Sequence, residues 1–150
     1  MVDVGDEFPS FVLQDQDGSQ VSSADLLGSW YLLYWYPKAD TPGCVAQAQG
    51  LRDQIEAFDE LGCRILGASF DEPSENVEFR AKYRLPFSLL SDRDHELAVK
   101  VGAADSPHAG YAQRVAHLVS PDGLVKKFYV VEDPEYFAEL VLDDLEAAST

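Results

Sequence analysis

Residues 30–44 read WYLLYWYPKADTPGC, an aromatic and aliphatic run that ends at a proline and leads to a cysteine. The apolar residues 30–36 predict a strand that is buried on both faces. After the strand, Thr41 suits the N-cap of a helix, Pro42 its first position and Cys44 its third. The first helical turn has unpaired backbone N–H groups and the positive end of the helix dipole, and both favour a thiolate. Because the thiolate is the nucleophilic form of cysteine, the sequence predicts a reactive thiol at position 44.

The hydrophobic pattern predicts strands alternating with helices along the chain. Apolar residues recur at spacings of four, three, four and three from position 44 to position 58, which predicts one continuous helix over residues 41–61. No repeat or linker interrupts the pattern, so we expect one domain over residues 1–150, an α/β sandwich with a mixed sheet flanked by helices. Turn residues, alternation and helix-end signals predict strands at 11–13, 20–21, 29–36, 63–70, 87–90, 111–119 and 124–131, and further helices at 73–83, 94–101 and 134–147.

The composition is that of an acidic protein. Eleven basic residues against 27 acidic ones give a net charge of −16, which would repel nucleic acid phosphates and anionic lipids. The charge has two readings, an ordinary acidic protein or adaptation to a high-salt cytoplasm, where salt screens the repulsion. The N-terminus lacks a basic and apolar leader, and no stretch reaches the 18 or so apolar residues of a membrane span, so we expect a cytoplasmic protein without membrane or nucleic-acid partners.

Residues 36–53 resemble the active-site segment of peroxiredoxins, where Pro-x-x-x-Thr-(Ser/Thr/Pro)-x-Cys surrounds the peroxidatic thiol. The string YPKADTPGC followed by GLRD is similar to the Q-type branch, the bacterioferritin comigratory proteins. The resemblance continues through LGASFD at 66–71, LPFSLLSD at 85–92, and an arginine at 114 before a strand that ends in PDG at 121–123. It implies a thioredoxin-like fold and a thiol peroxidase that reduces hydrogen peroxide and organic hydroperoxides in antioxidant defence.

The resemblance implies catalytic roles for four residues. Cys44 would attack the hydroperoxide and become a sulfenic acid, while the hydroxyl of Thr41 would bond the peroxide or the thiolate. Pro37 would shield the thiol. Strand alternation places Arg114 on one face with Ala116 and Leu118, where a cation needs an anion. Its partner is either a carboxylate on a neighbouring strand or the Cys44 thiolate, and in the second case the guanidinium would stabilise charge as the O–O bond breaks.

Three further residues are candidates for binding the substrate, and each also has an ordinary structural explanation. The N–H of Gly43 could bind a peroxide oxygen, although glycine also suits a plain turn. Pro42 is favoured at the first helical position in any helix. Gln47 lies one turn after Cys44, where it could hydrogen-bond near the site or simply face solvent. The three histidines, at 95, 108 and 117, have no ligand spacing with the cysteines, so we assign no metal and no cofactor.

One departure from the family concerns the second thiol. Many Q-type members carry a resolving cysteine five residues after the peroxidatic one, and here that position is Gln49. Cys63 is the remaining cysteine, but a continuous helix between it and Cys44 would separate their ends by about 25 Å, and a disulfide needs Cα atoms within about 7 Å. Cys63 is therefore either structural or part of an intersubunit bridge.

These observations predict a one-cysteine enzyme that an external thiol recycles, either a thioredoxin-like protein or a small thiol, in a monomer or a homodimer. A disulfide oxidoreductase would need Cys-x-x-Cys, and residues 44–47 read CVAQ. The alternative from another class is a non-catalytic, thioredoxin-like binding or holdase module. Loss of Thr41, Cys44 or Arg114 would indicate that alternative, and all three are present.

Overall fold

The computed structural model describes residues 1–149. Short 3₁₀ helices cover Ser23–Leu26 and Pro134–Tyr136. The strands are β1 Val12–Gln14, β2 Gln20–Ser22, β3 Trp30–Trp35, β4 Cys63–Ser69, β5 Ser88–Ser91, β6 Val115–Val119 and β7 Val125–Val130. The helices are α1 Pro42–Asp53, α2 Ile55–Glu60, α3 Pro73–Tyr83, α4 Glu96–Val101 and α5 Phe137–Ser149.

The strands form one mixed sheet of seven in the order β2-β1-β5-β4-β3-β6-β7. The β3–β4 and β4–β5 pairs are parallel, and the other neighbours are antiparallel. β3 lies between β4 and β6, so the strand predicted from the aromatic run is interior, and Leu32, Leu33 and Tyr34 are fully buried. The predicted mixed sheet flanked by helices is confirmed. The antiparallel pairs β1–β2 and β6–β7 are hairpins that turn at Asp17-Gly18 and Asp122-Gly123.

Alternating side chains of β3 contribute to cores on opposite faces of the sheet. The first core contains Leu32, Tyr34 and Tyr36 together with the buried faces of α1, α2, α3 and α5. The second core contains Leu33 and Trp35 together with α4 and parts of the N-terminal segment. Cys44 lies in the first core, so its thiol is on that face of the sheet.

Three predicted helices differ from those observed. The helix predicted over 94–101 begins at Glu96, because His95 has a left-handed backbone with φ 63°. The single helix predicted over 41–61 is wrong, because Gln54, with φ −106° and ψ 13°, separates α1 from α2. Its N–H bonds the carbonyl of Leu51, a tighter turn than the α-helix makes. The predicted helix at 134–147 begins instead with a 3₁₀ turn, and α5 starts at Phe137.

The strand predicted over 111–119 is also too long, because β6 begins at Val115. The residues before β6 are not part of a strand. The N–H of Gln113 donates instead to the carbonyl of Ala103, in the loop after α4, at 2.7 Å. Arg114 therefore lies immediately before the strand and not within it. Ala116 and Leu118 nevertheless face the same core as Cys44, in agreement with the predicted alternation.

Two buried titratable side chains lie in other parts of the fold. His117 contacts the rings of Phe8 and Phe128 at centroid distances of 5.3 and 4.9 Å, and burial lowers its pKa to about 4. Asp92 follows β5, and its Oδ2 accepts the N–H of Ala98 at 2.8 Å near the start of α4. Burial raises the pKa of Asp92 to about 6. Both groups therefore resist their charged forms.

Candidate active site

Cys44 is the third residue of α1, after Pro42 and Gly43, as the sequence predicts. Thr41 occupies the N-cap with extended backbone angles, φ −101° and ψ 155°. The first-turn N–H groups have no preceding helical carbonyl, and they concentrate partial positive charge around the sulfur. Cys44 is only 1% exposed. The thiol is thus held at a helix start and covered by protein.

The guanidinium of Arg114 faces the sulfur of Cys44. Its Nη1 and Nη2 each lie 3.6 Å from Sγ, although the two residues are 70 positions apart in the chain. The same Nη1 donates to Oε1 of Gln47 at 3.0 Å, and Gln47 is fully buried one turn after the thiol. Of the two partners considered for Arg114, the structure gives the cysteine sulfur. The solvent-facing alternative for Gln47 is wrong, because its side chain points into the protein.

Gly43 and Arg114 are in close contact. A Cβ atom built on residue 43 would lie 2.8 Å from Nη2 of Arg114 and 3.4 Å from its Cζ. The absence of a side chain at position 43 is therefore what lets the guanidinium approach the first turn of α1. This contact is a more specific reason for glycine than a turn preference.

Thr41 differs from the simple capping prediction. Its hydroxyl makes no capping bond to α1 and instead donates to the carbonyl of Lys38 at 2.8 Å. This bond closes the turn that leads into the helix. Pro37 is half-buried at the start of the same loop, and Pro42 is exposed at the first position of α1.

The loop of residues 37–41, which we call the thiol loop, is tied to the segment that follows β4 by a carboxylate that sequence reasoning missed. Oδ2 of Asp71 accepts the N–H of Ala39 at 2.9 Å, and Oδ1 pairs with the ammonium of Lys38. Ser69 donates its hydroxyl to the same carboxylate at 2.8 Å. Asp71 lies 32 residues beyond Ala39, so no local spacing could indicate the contact.

The thiol loop has a second anchor at its exposed side. Asp40 has a left-handed backbone with φ 61°, and its carboxylate accepts the hydroxyl of Tyr83 at 2.6 Å and the ammonium of Lys82 at 2.8 Å. This ion pair lowers the pKa of Asp40. The loop is thus fixed on one side by the segment that follows β4 and on the other by the end of α3.

Two buried polar atoms near the thiol have no hydrogen-bond partner within residues 1–149, Nε2 of Gln47 and the hydroxyl of Tyr34. Tyr34 is fully buried, and its hydroxyl lies over Gly67, where an added Cβ would be 3.1 Å away. Burial raises its pKa, with further contributions from Tyr36 and Cys44. The sequence places Tyr34 in a buried strand and indicates nothing about the surroundings of its hydroxyl.

Cys63 lies at the other end of the sheet. In the parallel pair β3–β4 it is opposite Trp30, at the start of β3, whereas Cys44 follows the end of that strand. Six residues of strand span roughly 20 Å. The two thiols form no disulfide. Cys63 is 2% exposed, and burial raises its pKa to about 12. The continuous helix on which the predicted separation rested is broken at Gln54, so the argument for two distant thiols rests instead on the two ends of β3.

Comparison with known proteins places this geometry in a family. The AhpC/TSA family matches residues 4–128. Peroxiredoxin Bcp of Escherichia coli strain K12 is 39% identical over 130 residues, which are 83% of each chain. A chloroplastic peroxiredoxin Q of Populus jackii is 37% identical over 128 residues, which are 85% of this chain and 60% of the relative.

Solved structures agree with the sequence relatives. Peroxidoxin BcpB of Mycobacterium tuberculosis superposes with a TM-score of 0.91 at 27% identity and 98% coverage of both chains. The bacterioferritin comigratory protein of Xanthomonas campestris, whose structures concern alkyl peroxide reduction, gives 0.86 at 29% identity, covering 93% of this chain and 92% of that one. Within residues 1–149, no helix has the length and apolarity to cross a membrane. The chain belongs to the AhpC/TSA family as a peroxiredoxin of the Q-type or Bcp branch, and it is a thiol peroxidase with a thioredoxin-like fold.

Proposed function

We propose that Cys44 is the peroxidatic nucleophile and that Arg114, with Gln47, Thr41 and Gly43, binds the peroxide oxygens. The observation that supports this most strongly is the placement of both terminal nitrogens of Arg114 at 3.6 Å from Sγ. A guanidinium at that distance favours a sulfur anion and can also donate to an oxygen bound beside it. Family membership supplies the substrate class, a peroxide, and a thiol as the reductant.

In the proposed reaction the thiolate of Cys44 attacks the terminal oxygen of a hydroperoxide. The S–O bond forms as the O–O bond breaks, and the leaving oxygen takes the electron pair. It then takes a proton from water and departs as an alcohol or, from hydrogen peroxide, as water. Arg114 stabilises the negative charge on the leaving oxygen. The product at Cys44 is a sulfenic acid.

The neighbours of the thiol complete the binding frame. The hydroxyl of Thr41 donates its hydrogen to the carbonyl of Lys38, so its oxygen lone pairs can accept a hydrogen bond from the hydroperoxide. The N–H groups of Gly43 and Cys44 are donors for the attacked oxygen. Gln47 fixes the guanidinium through Oε1, and its unpartnered Nε2 is a further donor. Pro42 sets the helix start, and Pro37 shields the thiol at the loop entrance.

Recycling completes the proposed cycle through an external thiol. The distance between the ends of β3 supports a one-cysteine mechanism, in which a first thiol attacks the sulfenic acid, releases water and leaves a mixed disulfide. A second thiol then frees Cys44. Either a thioredoxin-like protein or a small thiol fits this chemistry, in a single cytoplasmic domain that works as a monomer or a homodimer.

The test compares Cys44→Ser with Cys63→Ser, which is a matched control because both residues are buried thiols in the same core. Cys44→Ser abolishes peroxide consumption in a coupled assay, and Cys63→Ser retains it. Intact mass spectrometry after one equivalent of peroxide, without reductant, shows a sulfenic acid on Cys44. Equal loss of turnover in both variants, or a covalent dimer through Cys63, would overturn the one-cysteine mechanism. No peroxide consumption by the parent with any thiol would favour the holdase alternative.

A further inference from the structure

The carboxylate of Asp71 is the buried anchor of the thiol loop. Asp71 lies two residues after the end of β4, and its side chain is 3% exposed. Oδ2 accepts the N–H of Ala39 and the hydroxyl of Ser69, and Oδ1 pairs with Lys38. Two of these three donors belong to the thiol loop. A buried carboxylate whose oxygens are all engaged in this way is a rigid attachment point, because hydrogen bonds to ionised acceptors are stronger than neutral ones.

The other anchors of the loop are more exposed. The side chains of Lys82 and Asp40 are 58% and 41% exposed, and the second partner of Lys38, Glu75, is 41% exposed. Exposed ion pairs contribute little, since water competes for both partners and salt screens them. Of the contacts that hold the thiol loop, those to Asp71 are therefore the least open to competition from water.

The position of the loop determines the position of the thiol. Ala39 precedes Cys44 by five residues, and the loop leads directly into α1 at Pro42. Arg114 is carried by a different part of the chain, before β6. The alignment of sulfur and guanidinium thus depends on how the loop is attached to the sheet. Misplacement of a catalytic group by about 1 Å costs on the order of 10²-fold in rate.

We propose that Asp71 is a positioning residue for peroxide reduction, which holds the thiol loop so that the sulfur of Cys44 meets Arg114 and the bound peroxide in line. This inference rests on the proposed role of Cys44. It assigns Asp71 no contact with the substrate. The hydrogen bond from the N–H of Ala39 to Asp71 positions the loop, and the ion pair with Lys38 contributes less.

The test measures two reactions of the same thiol in folded protein. Oxidation by hydrogen peroxide in a single turnover, followed by trapping the sulfenic acid, needs an aligned frame. Alkylation by iodoacetamide needs only an ionised and accessible thiol. Asp71→Ala slows oxidation about 10- to 100-fold while alkylation slows less than about threefold or becomes faster. Asp71→Asn keeps an oxygen that accepts the N–H of Ala39, and its oxidation rate stays within about fivefold of the parent. Glu75→Gln, the control on the exposed side of Lys38, oxidises at the parent rate.

Several outcomes would overturn the inference. One is oxidation of Asp71→Ala at the parent rate, and another is an equal fall in oxidation and alkylation, which would indicate a general defect of the thiol. Slow oxidation of Asp71→Asn as well would assign the effect to charge and not to position. If Asp71→Ala does not fold, Asp71→Glu replaces it, because the extra methylene moves the carboxylate. At least tenfold slower oxidation then supports the inference, and the parent rate overturns it.

The same experiments separate this inference from the proposed function. If Cys44→Ser is inactive and Asp71→Ala oxidises at the parent rate, only the role of Asp71 fails. If Cys44→Ser still consumes peroxide, the role of Cys44 fails whatever the Asp71 variants do.

Discussion

Gly43 and Arg114 touch across the first turn of α1, where a Cβ on residue 43 would lie 2.8 Å from Nη2. Gly43→Ala therefore displaces the guanidinium from Cys44. Because alanine is favoured over glycine in a helix by about 1 kcal/mol, the free energy of unfolding is unchanged or higher. Peroxide turnover falls by about tenfold or more. Gly50→Ala, on the same helix, is the control for the helix effect. Parent turnover in Gly43→Ala would show that the contact is not needed.

Gln47→Leu tests the support of the guanidinium by a buried amide. The substitution removes the acceptor of Nη1 and the unpartnered Nε2 together, at nearly constant volume. Turnover falls about tenfold or more, while the thermal midpoint changes by only a few degrees because one buried donor without a partner is also removed. Steady-state kinetics and a melting curve on the same preparation give both values. Unchanged turnover would reduce Gln47 to packing.

His117→Phe tests the cost of keeping a histidine neutral in the core. The pKa of His117 is lowered from 6.5 to about 4, so the unfolded chain binds the proton more tightly. The stability from this site is present above pH 6.5 and is lost as the pH falls towards 4. Urea unfolding at pH 7.5 and pH 5 should show the phenylalanine variant gaining about 2 kcal/mol over the parent between the two values. An identical pH slope in the two proteins would contradict the lowered pKa.

Asp92→Asn tests the opposite case in an overlapping window. The pKa of Asp92 is raised from 3.8 to about 6, so the folded protein holds the proton more tightly, and stability from this site falls as the pH rises from 4 to 6. Asparagine keeps an acceptor for Ala98 and carries no charge. Relative to the parent, the variant gains about 2 kcal/mol from pH 4 to pH 7 in urea unfolding. A constant difference across this range would place the ionisation elsewhere.

Salt tests the two readings of the net charge. Screening of 27 acidic against 11 basic residues raises the thermal midpoint as KCl increases from 0.1 M to 1 M, where the Debye length falls to about 3 Å. Screening saturates there. A thermal midpoint that continues to rise up to 3 M KCl supports adaptation to high salt. A flat profile over the whole range would exclude both stabilisation by screening and adaptation to high salt.

Sequence patterns predicted the elements that depend on neighbouring residues. The buried strand at 29–36 and the helix at 73–83 were indicated by apolar runs, proline and turn residues, and the structure has β3 and α3 within one residue of both predictions. The sequence does not predict the break at Gln54, because the apolar spacing continues across it and no proline or glycine lies there. Local signals describe what a segment can form, and tertiary contacts decide where it ends.

In the candidate site, too, the sequence predicts the features that depend on neighbouring residues and not those that depend on distant ones. The helix start that carries Cys44 could be predicted because capping residues and the thiol lie within four positions of each other. The attachment of Ala39 to Asp71 could not, since it joins parts of the chain that only the sheet brings together. The hydroxyl of Thr41 suits a helix cap, yet the turn of the thiol loop places the carbonyl of Lys38 within its reach.

The location of Cys44 and Cys63 at opposite ends of β3 has a consequence for the fate of the oxidised enzyme. Under the proposed mechanism, no thiol of the same chain reacts with the sulfenic acid of Cys44. The lifetime of the sulfenic acid is therefore inversely proportional to the concentration of the external thiol. A second peroxide competes with that thiol for the same sulfur and produces a sulfinic acid. The fraction of molecules converted to the sulfinic acid in each cycle then increases with the ratio of peroxide to thiol. The sulfinic acid accumulates from cycle to cycle, so its amount reports the total exposure of the protein to peroxide.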